Sequence, residues 1–163
     1  MEKIVYQFED FLAKVKQDYK EFVTKIHEAL VQDGYKVKIE SKTSGFFVSY
    51  SHSKTKRVML NFLFRKKGLL IRLYADNFNK YADFLNRLPE KMEREIEKAS
   101  VCKRLINPED CNPKCIMGYD FFIKENHHQK CRYSCFQFEI NPESIPALSD
   151  FIENERKERL ALV

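Results

Sequence analysis

Two pairs of cysteines, Cys111-x3-Cys115 and Cys131-x3-Cys135, stand 15 residues apart in a chain whose one other cysteine is Cys102. Paired thiols suit zinc, because soft thiolates bind it tetrahedrally at about 2.3 Å and the ordinary spacing within a pair is two to four intervening residues. The expected ligand set is therefore Cys111, Cys115, Cys131 and Cys135. A metal held this way would be structural: it would fasten the loop 107–116 (NPEDCNPKCI) to the segment after it and contribute folding energy.

Geometry sets a condition on that reading. If residues 131–135 form one extended strand, the two cysteines share a face but lie roughly 13 Å apart, whereas two sulfurs on one zinc must sit within about 4 Å. Four-cysteine ligation thus requires 131–135 to be a turn or bulge, with the strand beginning near Phe136. Were the hairpin to turn at His127-His128, Cys135 would instead pair opposite Asp120, near Cys111 and Cys115, and Cys131 would stand apart. Reduced thiols packed as small hydrophobes, or a disulfide, remain the alternatives to zinc.

Cys131 with His127 or His128 has the residue types of a nucleophile and its base, but no third group that would orient the base can be named. Glycine-rich phosphate loops, HExxH and the nucleophile elbow are all missing from the sequence. These observations favour a protein that is not an enzyme and assign no catalytic residue.

Charge offers a second kind of chemistry. The net charge is +5, yet residues 36–72 hold ten Lys and Arg against the single acid Glu40, so that segment is +9 and the remainder −4. Lys54, Lys56 and Arg57, with Arg65, Lys66 and Lys67, are the candidate contacts for nucleic acid or another polyanion, and Phe46, Phe47 and Tyr50 supply rings for stacking. The competing reading is that lysines guard strand edges and the rings belong to the core.

These residues need elements to place them. Apolar residues at 4, 8, 11, 15, 19, 22, 26 and 30 fall in steps of three and four, which predicts an amphipathic helix ending at Gly34. Such a helix would span roughly 45 Å, so it either breaks in two or overhangs, and an overhanging stripe would call for self-association. YKVKIE (35–40) alternates strictly, and FFVSYS, VMLNFLF (58–64) and LLIRLYA (69–75) complete a four-strand meander, with Gly68 in its last tight turn. Asn77 or Asn79 should cap a helix through Leu88, and Pro89 ends it or opens a second one. GYDFFIK and RYSCFQFEI read as a hairpin across ENHHQK, and Ser144 caps a last helix with Pro146 in its first turn. Strands in runs followed by helices argue for an α+β fold built on an antiparallel sheet.

At 163 residues and 44% hydrophobic content the chain reads as a single domain with one ordinary core. No apolar run approaches a membrane span, and the charged N-terminus is unlike a signal peptide, so the expected location is the cytoplasm, where thiols stay reduced. The opening helix, the meander and the run KGLLIRLYADNFNKYADFLNRLPE resemble small bacterial α+β domains of the YdhG and YjbR kind, over about residues 1–100. That resemblance would allow DNA binding or iron handling. It matches no cysteine cluster at 111–135 and transfers no functional residue.

Overall fold

A computed structural model describes residues 2–115, 118–132 and 136–162. The fold is α+β, with a five-stranded antiparallel sheet in the order β1-β2-β3-β4-β7 and a separate two-stranded sheet, β5-β6. The chain divides into two compact units, one running up to Arg72 with Glu139–Ile145, the other comprising Leu73–Phe138 and the chain from Pro146 onward.

In the first unit the long amphipathic stripe folds as two helices, α1 (Phe8–Leu12) and α2 (Gln17–Gln32). The break falls at residues 13–16, where Lys14 N–H and Val15 N–H turn back onto the carbonyls of Phe11 and Leu12 and Val15 is buried. Breaking the helix lets both Phe11 and the α2 stripe of Phe22, Val23, Ile26 and Leu30 reach the interior, while Ile4 and Val5 stay outside it, 71% and 76% exposed. At about 24 Å, α2 is roughly half the length the unbroken stripe would have spanned. Gly34, at φ +94, ends α2 as the spacing predicted.

The meander follows as β1 (Tyr35–Lys42), β2 (Gly45–His52), β3 (Val58–Arg65) and β4 (Gly68–Leu73). Met59 through Leu63 are all buried, the pattern of a strand covered on both faces. Gly68 adopts φ +119 at the last turn, as expected of a left-handed position.

The second unit gathers its core around Phe78, whose ring lies 4.6 Å from Phe121, 5.3 Å from Phe136, 5.5 Å from Tyr119 and 5.7 Å from Phe151. Residues 78–87 form two short 3-10 helices rather than one α-helix, and α3 (Glu90–Glu97) follows Pro89. Asn77 stands at the N-cap of the first of these, but its side chain makes no capping bond. Its backbone and side-chain N–H groups both donate to buried Glu155, at 3.0 Å each, and Glu155 also accepts from the Tyr81 hydroxyl and Arg159 Nε. Glu155 belongs to α5 (Ile145–Ala161).

The C-terminal hairpin departs from its predicted register. β5 (Tyr119–Ile123) pairs with β6 (Asn126–Lys130) across a turn at Lys124-Glu125, so most of the segment taken as a connection is itself a strand. Asp120 stands opposite Gln129. NHHQK escaped the periodicity reading because its inward residues are polar: His128 and Lys130 are buried there. Of RYSCFQFEI, Phe136–Glu139 forms β7, which joins β4 in the larger sheet instead of pairing with β5.

Candidate metal centre

A third segment lies along β6 and sets the geometry of the cysteines. Val101 stands opposite Lys130, Cys102 N–H donates to the Gln129 carbonyl at 2.9 Å, and Cys131 N–H donates to the Ser100 carbonyl at 2.7 Å. Side chains alternate along such a ladder, so Cys102 and Cys131 leave it on the same face as diagonal neighbours. Lys130 points to the other face, only 7% exposed, where its ammonium donates to the carbonyls of Glu97 at 2.7 Å and Ala99 at 3.1 Å and closes the C-terminus of α3.

Beyond Cys102 the chain makes the single turn α4 (Lys103–Ile106) and enters the proline-containing loop. Two asparagines shape that loop: Asn107 Oδ1 accepts from Glu109 N–H at 3.2 Å, and Asn112 Oδ1 accepts from Lys114 N–H at 3.0 Å. The second turn also bonds Cys115 N–H to the Asn112 carbonyl at 2.9 Å, which folds Cys115 back toward Cys111. Past the loop, Gly118 lies so close to the ladder that a Cβ there would stand 2.2 Å from the Lys130 carbonyl oxygen and 2.8 Å from Cys102 Cβ and Sγ.

These segments enclose a cavity of about 500 Å³ whose lining includes Cys102, Cys111, Cys115 and Cys131, with Lys103, Lys114 and Arg132. All four cysteines are free thiols. Cys135 lies outside the described residues. Cys131 and Arg132 are not part of a strand and β7 starts at Phe136, while the rest of the segment on which four-cysteine ligation placed its condition lies outside the described residues. Among the described residues, no three His, Cys, Asp or Glu side chains already stand in ligating geometry, so metal binding would have to draw the loop thiols inward.

Electrostatics around the thiols is uneven. Desolvation holds the Cys115 thiol above the ordinary cysteine value, reinforced by its hydrogen-bonded neighbour Cys111 and by Cys102, while Arg104 opposes the shift. The Arg132 guanidinium sits 5.3 Å from the centre of the Tyr119 ring. Arg132 Nε and Arg104 Nε and Nη1 are buried with no hydrogen-bond acceptor among the described residues. The cavity wall carries the basic residues Lys103, Lys114 and Arg132, which would offset the net double negative charge of four thiolates around a zinc ion.

The histidines go elsewhere. His127 Nε2 is hydrogen-bonded to Asp120 Oδ1 at 2.5 Å, and its ring is stacked on Phe122. His128 is buried against Phe121. Both are strand residues, not turn residues, and neither lines the cavity. Desolvation lowers the His128 pKa, with Lys130 adding to the effect.

The basic residues form two groups at opposite ends of β3. Lys54, Lys56 and Arg57 lie in the β2–β3 connection, where Lys56 Nζ donates to the Ser53 carbonyl. Arg65 ends β3, Lys66 and Lys67 form the β3–β4 turn, and all three are exposed. Eight residues of strand separate the groups by about 24 Å. Phe46 and Phe47 are half-buried, and Tyr50 is a core residue whose hydroxyl is hydrogen-bonded to His27 Nδ1 at 2.9 Å.

Cys102 is the residue that spacing did not find. It has no cysteine partner nearby in sequence, and only the cross-strand hydrogen bonds of residues 100–102 carry it to the cavity. No family model matches this chain, and no curated protein or solved structure matches it.

Proposed function

We propose that this chain is a non-enzymatic, cytoplasmic α+β protein whose cysteine loop is fastened by a structural zinc ion, with Cys111, Cys115 and Cys131 as ligands and Cys135 as the fourth thiol the spacing assigns. The observation that supports it is the cavity of about 500 Å³ onto which thiols from separate segments open. Zinc would join the loop to the segment that begins at Cys131 through metal–sulfur bonds, and its binding energy would add to the stability of the fold. The test is elemental analysis of protein purified without a metal-affinity tag, together with a thiol count under denaturing conditions. One zinc per chain, lost on chelation along with part of the unfolding free energy, is the expected result. Five free thiols and no metal would overturn the reading.

Polyanion binding is the second reading. What favours it is the β3–β4 turn, where Arg65 at the end of β3 and Lys66 and Lys67 of the two-residue connection are exposed, with exposed Lys42 at the same end of the meander. The group at Lys54, Lys56 and Arg57 would be a separate contact, since a backbone phosphate cannot meet both ends at once. Retention on heparin should collapse between low and moderate salt, and replacing Arg65, Lys66 and Lys67 together by Gln should abolish it. Elution that ignores salt would exclude this reading.

A further inference from the structure

We infer that Cys102 is a metal ligand, so that the centre is formed by Cys102, Cys111, Cys115 and Cys131, with Cys135 outside it. This rests on the zinc reading and changes its ligand set.

Two observations carry the assignment. Cys102 is 4% exposed yet opens onto the same cavity as the other three cysteines, so its thiol forms part of the wall rather than being sealed in the core. It also shares a face with Cys131. Diagonal partners across a ladder have α-carbons about 7–8 Å apart and β-carbons closer still, a gap that two inward-turned thiols can narrow to the roughly 4 Å that one zinc requires. The ladder bonds Cys102 N–H to Gln129 and Cys131 N–H to Ser100 hold that pair in place before any metal arrives. Cys111 and Cys115 are already side-chain neighbours and complete the set from the loop. Two ligands thus come from a fixed ladder and two from a loop that can move onto it.

The deciding experiment leaves Cys102 untouched. In Cys135→Ser the chain retains four cysteines, so a four-thiolate centre in that variant has to include Cys102. Wild type and Cys135→Ser are stripped by chelation under reducing conditions and titrated with cobalt(II). The tetrahedral visible bands and the sulfur-to-cobalt charge-transfer intensity then report geometry and thiolate number. The expected result is one cobalt per chain in both proteins, with equal charge-transfer intensity and affinity. Cys102→Ser should lose one thiolate's share of that intensity and bind at least tenfold more weakly, with circular dichroism showing that it is folded. A Cys135→Ser protein with the three-thiolate spectrum, or with no cobalt, would overturn the assignment. A wild type that takes up no metal would overturn the zinc reading itself, and iron in place of zinc in the purified protein would do the same.

Discussion

Gly118→Ala tests whether the return of the cysteine loop is built as tightly as the structure requires. The added methyl would meet the Lys130 carbonyl oxygen at 2.2 Å and Cys102 Cβ and Sγ at 2.8 Å. Ordinary carbon contacts begin near 3.5 Å, so the strand carrying Lys130 or the segment 118–119 has to withdraw by about 1 Å. Neither is a flexible side chain. Lys130 is held opposite Tyr119 within the hairpin and opposite Val101 in the ladder, and its ammonium is fixed on the end of α3. Overpacking of this kind costs about 1–3 kcal/mol, and losing one adjacent backbone hydrogen bond adds about 0.5–1.5 kcal/mol. A destabilisation of about 2–4 kcal/mol follows, a large share of the roughly 5–15 kcal/mol that holds a typical domain together. Urea unfolding of chelator-treated protein, followed by tyrosine fluorescence since the chain has no tryptophan, would measure it. A Gly118→Ala midpoint equal to wild type, with an unchanged slope, would show that loop and ladder do not approach each other as described.

Removing the carboxylate of Glu155 should be equally costly for a different reason. It accepts from Asn77, Tyr81 and Arg159, so Glu155→Ala strands buried donors and should cost about 3–5 kcal/mol in urea unfolding, with Glu155→Gln costing less; a loss below about 1 kcal/mol would mean the network is solvated. Acid should weaken the fold through its histidines. Desolvation lowers the pKa of both His27 and His128, so the unfolded chain takes up protons first as pH falls. Their contribution is complete above the ordinary histidine value near 6.5 and is lost as pH drops through the folded values. Unfolding midpoints of metal-stripped protein should therefore decline from pH 7 to pH 5, and His27→Gln should flatten part of that slope; a profile level across this range would contradict the desolvation of half-buried His27 and buried His128. Phe78→Ala removes the ring shared by Tyr119, Phe121, Phe136 and Phe151 and should cost about 3–5 kcal/mol by thermal or urea unfolding, whereas a cost under 1 kcal/mol would place the core elsewhere.

The α+β class, the antiparallel meander and its turns were legible in the sequence because each is a local pattern. Alternation in 35–40, apolar runs at 58–64 and 69–75, and Gly34 and Gly68 at left-handed positions all act within a few residues of themselves. The break between α1 and α2 was foreseen only as one of two outcomes, since the choice depends on where Phe11 and Phe22 find their neighbours. What failed was the hairpin at 119–130. Its second strand buries His128 and Lys130, residues whose local pattern reads as a turn, and Lys130 is stable there because the carbonyls of Glu97 at the end of α3 and of Ala99 just beyond it accept from its ammonium. The cysteine pairs could be found from spacing, but Cys102 could not. Its approach to Cys131 depends on hydrogen bonds between segments about 30 residues apart in the chain, and no periodicity carries such a pairing. Sequence determined which local conformations and which reactive groups were present; only the tertiary ladder decided which of those groups share a cavity, because cross-strand pairing is chosen by the burial of the whole unit and not by the residues that meet.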